Sequence, residues 1–123
     1  MEQLKSLNDQ IGGSHYKSLV MQPIEFIVKS NLSFIQGNII KYITRYKNKN
    51  GKQDIEKCIH YANMAIDLKD AGPKVKMLNL AYSYCKVNEL SSYQTNIIVA
   101  CVQEDYYGVL RYCKLLIKSE YHD

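Results

Sequence analysis

Apolar residues recur three and four positions apart along most of the chain from residue 22 onward, and this spacing limits the possible folds more than any other feature. No segment alternates apolar and polar residues with the period of two that a half-buried strand requires. Turn-forming residues divide the pattern into six segments of helical length. The sequence therefore predicts an all-α, compact six-helix domain.

Local signals predict where the helices begin and end. Gln22-Pro23 starts the first helix, because proline suits the first helical turn. Two pairs with capping-box spacing, Ser33 with Gln36 and Ser91 with Gln94, start the second and fifth. The third is predicted over about residues 53–70, the fourth from after Gly72-Pro73 to about residue 88, and the sixth over about residues 105–120.

The same spacing predicts which faces are buried. Among the residues expected on apolar faces are Ile24, Ile27 and Val28 in the first helix, and Val75, Leu78, Tyr82 and Cys85 in the fourth. The four cysteines, at positions 58, 85, 101 and 113, lie at apolar positions and form no Cys-x-x-Cys pair. We expect buried free thiols.

A nine-residue stretch recurs 58 residues later in the chain. Residues 32–40 and 90–98 share Leu, Ser, Gln, Asn, Ile and Ile at the same places. Convergence explains the capping box, whereas Asn38 and Asn96 favour an internal duplication. We therefore expect an N-terminal arm with a His-Tyr motif (1–21), a first three-helix unit (22–71), and a second unit (72–123) that serves as scaffold or oligomerisation surface.

The positive charge of the chain is concentrated in one segment. The net charge is +4, and residues 41–57 alone contain six basic and two acidic residues. Only the first copy of the recurring stretch continues into basic residues, so an anionic partner is expected there. DNA binding is an alternative that the modest net charge disfavours. With neither an apolar signal core nor a membrane-spanning window, we expect a soluble cytoplasmic protein without a membrane partner.

The basic segment offers a candidate nucleotide site on one helix face. Asn38, Lys41, Tyr42 and Arg45 are three or four positions apart and share a face. Lysine and arginine can hold phosphate, asparagine can contact a base or sugar, and tyrosine can stack on a base. The alternative is an ordinary solvated helix face. Gly37 indicates close approach by a ligand or by a neighbouring helix.

Further candidates flank this face. Lys49 lies just before the third helix, whose N-terminus favours anions, and Asp54 is interpreted as its N-cap or, alternatively, as a ligand for phosphate-bound magnesium. His15 and Tyr16 follow two glycines and could cover a bound ligand. The residues around Gly51 do not form a Walker motif, and no catalytic residue is identified.

One family resemblance covers about residues 14–68. The chain is similar to a small phage-encoded nucleotide-kinase-like family, long catalogued as a domain of unknown function, through a set of residues spread over that stretch: His15-Tyr16, residues 22–27, Phe34, residues 37–43, Arg45, Lys49, Gly51, Asp54, Lys57 and Tyr61. The resemblance implies nucleotide contacts from Asn38, Lys41, Tyr42 and Arg45, with His15 and Tyr16 as a lid or catalytic pair.

Three functions follow from these observations and the resemblance. The first is a phage accessory protein that binds a nucleotide, with nucleoside monophosphate kinase activity as its sharper form; only that form requires ATP and Mg²⁺. The second is a non-catalytic counter-defence protein that sequesters a host nucleotide signal. The third is a helical protein that inhibits a host enzyme. A homo-oligomer is expected, with the tyrosines of the last helix as a contact surface: Tyr106, Tyr107, Tyr112 and Tyr121.

Overall fold

The structure is a computed structural model that describes residues 19–70 and 78–121. Within these residues there are six α-helices, one 3-10 helix and no strand. The helices are α1 (Pro23–Lys29), α2 (Phe34–Arg45), the 3-10 helix (Tyr46–Asn48), α3 (Lys52–Leu68), α4 (Asn79–Val87), α5 (Ser92–Val102) and α6 (Tyr106–Glu120). The predicted all-α, six-helix fold is confirmed.

Four of the helices form the centre of the domain. Helix α2 packs against α3 and α5, and α6 packs against the same two helices. Helix α1 lies on α2 and α4, and α4 also contacts α5. Five isoleucines of α2 and α5 fill the interior and are fully buried: Ile39, Ile40, Ile43, Ile97 and Ile98. Their burial supplies much of the hydrophobic stabilisation that holds the helices together.

Both predicted capping boxes are present. The Ser33 hydroxyl accepts a hydrogen bond from the Gln36 backbone N–H at 3.1 Å, and the Gln36 side chain accepts one from the Ser33 N–H at 2.9 Å. Ser91 and Gln94 make the same two bonds at 3.2 and 2.8 Å. These bonds satisfy N–H groups that a helix start otherwise leaves without partners, so they fix where α2 and α5 begin.

The predicted inner faces of α1 and α4 are partly wrong. Ile24, Val28 and Tyr82 are 50%, 68% and 51% exposed. The large rings of Phe26 and Tyr84 are buried instead, and they stack on each other with centroids 4.6 Å apart. The reason is that α1 contacts α4 as well as α2, so the buried face is the one turned toward this junction. Val75 lies outside the described residues.

Several local features of the first half recur in the second half at the 58-residue offset. The Gln36 side chain donates to the Cys101 carbonyl at 3.2 Å, and Gln94 donates to the Ile43 carbonyl at 2.8 Å. Asn31 and Glu89, at the same offset, have φ angles of 53° and 54°. The two glutamines thus bond reciprocally between α2 and α5. Internal duplication, as the origin of this correspondence, stays a proposal.

The remaining fold predictions have mixed outcomes. All four cysteines are free and buried, as predicted. Of the last-helix tyrosines, Tyr107 is 71% exposed, but Tyr106 is only 6% exposed and donates a hydrogen bond to Asp70 at 2.7 Å. Tyr106 is therefore a core residue rather than a contact surface. Gly72-Pro73 lies outside the described residues, and none of the helices described is long and apolar enough to cross a membrane.

Candidate anion-binding site

The candidate site lies where α2 packs against α3. Helix α2 carries Lys41, Tyr42 and Arg45 on one side, because Arg45 lies four residues after Lys41 and three after Tyr42. Helix α3 carries Lys57 and Tyr61 at a spacing of four, on the face turned toward them. Two helices therefore contribute to one surface, which we call the cationic-aromatic cluster: Lys41, Tyr42, Arg45, Lys57 and Tyr61.

The Tyr42 ring is the centre of this cluster. The Lys41 Nζ lies 4.5 Å from the ring centroid and the Arg45 Cζ lies 4.7 Å from it. The Lys57 Nζ, from the other helix, lies 4.9 Å away. The Tyr61 ring stacks on Tyr42 with centroids 6.0 Å apart. Each cation–π contact at such a surface contributes about 0.5–1 kcal/mol, so the ring partly offsets the mutual repulsion of the three cations.

One buried carboxylate balances part of this positive charge. Asp54 is fully buried and accepts bonds from the Arg45 Nε at 3.3 Å and Nη2 at 3.4 Å. Its Oδ1 is 3.6 Å from the Lys57 Nζ. Burial raises the pKa of Asp54, but the hydrogen bonds from Arg45 and Asn50 and the Arg45 charge outweigh it and bring the pKa below its ordinary value. Within the described residues, Arg45 and Lys57 thus share the Asp54 carboxylate.

The position of Asp54 differs from its interpretation as an N-cap. Gly51 is the N-cap of α3, with φ of 58° and ψ of −128°, and Asp54 is the third residue of the helix. Its carboxylate reaches back to accept the Asn50 backbone N–H at 3.2 Å. Asp54 therefore holds the turn before α3 and the Arg45 guanidinium at once. The backbone conformation at Gly51 is what allows the chain to enter α3 at this angle.

The structure brings four predicted site residues onto one face. Asn38, Lys41, Tyr42 and Arg45 all lie along the outer side of α2, half-buried. The Asn38 Nδ2 donates to the Phe34 carbonyl at 2.9 Å, which is a bond within the helix. Lys41 forms no ion pair with any of the described residues. It is therefore the cation of the cluster with the least neutralised charge.

The other predicted site residues are Lys49, His15 and Tyr16, and of these the structure describes Lys49. Lys49 is exposed in the turn between the 3-10 helix and α3, and its side chain makes no hydrogen bond or ion pair within the described part of the chain. His15 and Tyr16 lie outside the described residues. Whether these three residues contact a ligand remains a prediction.

An apolar cavity of about 300 Å³ lies beside the cluster, between α1 and α2. Asn38 and Lys41 line it along with eight further residues: Gln22, Pro23, Ile24, Ile27, Leu32, Ser33, Phe34 and Gly37. A Cβ atom at Gly37 would lie 3.2 Å from the Ile27 Cγ2. Gly37 therefore allows the close approach of α1, the neighbouring-helix alternative stated for this glycine.

The sequence-based site did not include Lys57, Tyr61 or the pairing of Asp54 with Arg45. Helical spacing relates residues within one helix, whereas the cluster draws on two helices. The signal that could have identified them is their spacing, because Lys57 and Tyr61 are four residues apart on the helix that follows the basic segment. A turn of only a few residues makes that helix an antiparallel neighbour of α2.

Comparison with known proteins identifies a family match for the first half of the chain. Residues 11–63 match DUF3310, a protein family of unknown function. This stretch contains α1, α2 and most of α3, and with them every residue of the cationic-aromatic cluster. The match supports the resemblance to a family of unknown function over a similar span, and it carries no activity. No curated protein and no solved structure matches the chain.

The described residues also contain no group of three or more His, Cys, Asp or Glu side chains placed to hold a metal ion.

Proposed function

We propose that the protein binds a nucleotide through the cationic-aromatic cluster, with the phosphate group held at Lys41 and the neighbouring cations. The observation that supports this most strongly is the placement of three cations within 5 Å of the Tyr42 ring centroid. Only one carboxylate, that of Asp54, pairs with them among the described residues. An added dianion would relieve the remaining repulsion, which is the physical basis for affinity.

The chemistry of the three cations suits a phosphate. Lysine supplies a compact charge with three rotatable donors, and arginine supplies a planar group that can bond two oxygens. The hydrogen bonds that Arg45 donates to Asp54 hold the Arg45 side chain in place, so that little conformational entropy is lost when a ligand binds. Lys41, which has no acidic partner among the described residues, is the group we expect to contact phosphate first.

A sharper form of the proposal, which comes from the family resemblance, is phosphoryl transfer from ATP to a nucleoside monophosphate. In that reaction Lys41 and Arg45 would neutralise charge on the transferred group. The alternative is binding without turnover, as in a counter-defence protein that sequesters a nucleotide signal. The hydrogen bonds of Asp54 favour binding without turnover, because its carboxylate already accepts hydrogen bonds from Arg45 and Asn50. A phage origin, a cytoplasmic location and a homo-oligomeric state are further proposals from the sequence.

One experiment separates these functions. The protein is incubated with the common nucleoside monophosphates, each with and without ATP and Mg²⁺, and both product and ligand co-eluting in gel filtration are measured. A diphosphate product supports the kinase, and unchanged ligand that co-elutes supports sequestration. If no nucleotide is bound or converted, the nucleotide proposal is wrong, and inhibition of a host enzyme is the remaining hypothesis.

A pair of matched variants tests the site. Lys41→Ala should weaken binding about tenfold or more, because a hydrogen bond to a charged group contributes about 1.5–3 kcal/mol. Lys86→Ala is the control, since Lys86 is an exposed lysine on α4, which packs on α1 and α5 and not on α3. Calorimetric titration should show unchanged affinity for the control. Equal affinity of both variants and the wild type would reject Lys41 as a phosphate contact.

A further inference from the structure

We propose that the apolar cavity between α1 and α2 receives the base of the nucleotide whose phosphate is held by the cationic-aromatic cluster. One ligand would then contact Lys41 near its middle. Its phosphate would lie on the α2–α3 side of this residue and its base on the α1–α2 side. This inference rests on the proposed function and assigns the part of the site that recognises the base.

The first reason is that the Tyr42 ring is already covered. Three cations lie 4.5–4.9 Å from its centroid, and the Tyr61 ring stacks on it. A base that stacked on Tyr42 would have to displace these groups. The cluster therefore offers charge, and the base needs another apolar surface within reach of the phosphate.

The cavity meets that requirement. Lys41 belongs to both sites, since it contacts the Tyr42 ring and also lines the cavity. The volume of about 300 Å³ is at the lower end of the range for small-molecule sites. Two of its apolar walls are open to solvent, because Ile24 is 50% exposed and Phe34 is 79% exposed. A base placed between them would bury apolar surface that the free protein leaves in water.

A polar atom at the cavity fits the edge of a base. The Asn38 Nδ2 is bonded to the Phe34 carbonyl, whereas its Oδ1 accepts no hydrogen bond from any described residue. Asn38 lines the cavity beside Lys41. A ring N–H or an exocyclic amine of a base can donate to this oxygen, which gives the cavity a polar contact suited to orienting a heterocycle.

The second half of the chain provides a natural contrast. At the 58-residue offset, Ile24 corresponds to Tyr82, Phe34 to Ser92, and Lys41 to Val99. The second half thus lacks the Phe34 ring and the cation, although an aromatic residue replaces Ile24 and the capping box and the asparagine recur. Two of the residues that differ, Phe34 and Lys41, supply the exposed aromatic wall and the cation that the proposed binding uses. This comparison also supplies a control position at equal exposure, because Tyr82 is 51% exposed.

The test compares a nucleotide with its sugar phosphate. Binding of the nucleoside monophosphates and of ribose 5-phosphate is followed by NMR on the full chain, which detects millimolar affinities. The test variant is I24A/F34A, and the control is Y82A/L115A, in which Leu115 is 46% exposed. Circular dichroism and sedimentation verify that each variant folds and keeps its oligomeric state. We expect the test variant to lose at least tenfold in affinity for the best-bound monophosphate and less than twofold for ribose 5-phosphate.

The outcomes distinguish this inference from the function on which it rests. Nuclear Overhauser contacts between base protons and the Ile27 or Leu32 methyl groups, together with the selective loss, would support it. If the wild type binds no monophosphate, the proposed function fails and the cavity assignment with it. If the wild type binds monophosphates but does not prefer them to ribose 5-phosphate, or if the test variant retains the preference, only the cavity assignment is wrong. If the test variant changes the oligomeric state, the cavity is a contact between copies of the chain, and its assignment to the base is wrong.

Discussion

Replacing Asp54 by alanine should destabilise the protein by about 3 kcal/mol. The Asp54 carboxylate is fully buried, and the Arg45 side chain to which it is bonded is only 14% exposed. Removal of the Asp54 carboxylate takes away both hydrogen bonds from the Arg45 guanidinium and the acceptor of the Asn50 backbone N–H. Removing one partner of a buried ion pair costs about 3–5 kcal/mol. We expect the low end, because Arg45 retains some contact with solvent.

Urea unfolding at pH 7, followed by far-UV circular dichroism, measures this effect. The urea concentration at the unfolding midpoint should fall. The slope of the unfolding free energy against urea concentration should stay constant, since the fold is kept. Asp67→Ala is the matched control, because Asp67 is an exposed carboxylate on the same helix, and it should change stability by less than about 0.5 kcal/mol. A loss below about 1 kcal/mol for Asp54→Ala would refute the role of Asp54 as the charge that holds Arg45.

The pH dependence gives a second test of the same reasoning. The pKa of Asp54 in the folded chain is below its ordinary value of 3.8, so the folded state favours the ionised carboxylate. The stability from this group is fully present above the unfolded pKa and is lost as the pH falls through the folded pKa. The difference in the free energy of unfolding between the wild type and Asp54→Ala should therefore become smaller below about pH 4. A difference that stays constant down to pH 2 would contradict the assigned pKa direction.

Three further variants or treatments test the fold. Gly51→Ala should lower stability by about 1–3 kcal/mol in urea unfolding, because alanine is strained at this φ and ψ; an unchanged midpoint would refute the strain. Gln36→Leu should cost about 2 kcal/mol by the same assay, since the Ser33 N–H and the Cys101 carbonyl lose their bonds to Gln36; a neutral effect would count against this bond pair. None of the four buried thiols should react with a thiol reagent in the native protein, because burial raises the pKa of Cys58 and excludes the reagent; rapid reaction before unfolding would contradict their burial.

The helices could be predicted from the sequence because their starts depend on local chemistry. A serine followed three residues later by glutamine predicts a helix start wherever it occurs, and Ser33 and Ser91 both confirm it. The buried faces of α1 and α4 could not be predicted in the same way. Phe26 and Tyr84 are buried because those two helices meet, and that contact joins residues 58 apart in the sequence.

The candidate site could be predicted only in part, for a similar reason. Helical spacing placed Lys41, Tyr42 and Arg45 on one face, as observed. The contribution of Lys57 depends on how α3 packs against α2. The role of Asp54 depends on the turn at residues 46–51, whose backbone conformation no spacing rule describes. Contacts within one helix follow from the sequence, and contacts between helices required the structure.

The central claim is that an anionic nucleotide binds where Lys41, Arg45 and Lys57 surround the Tyr42 ring. Titration of the ¹⁵N-labelled full chain with each nucleoside monophosphate tests it most directly, because the amide signals report where the ligand binds. We predict that the largest shifts fall on residues 38–45 of α2 and 57–61 of α3, together with residues 22–34 if the base enters the cavity that they line. Higher salt should weaken binding, as the screening of charges requires. Shifts that centre on another part of the chain, or no shifts at millimolar ligand, would contradict the claim.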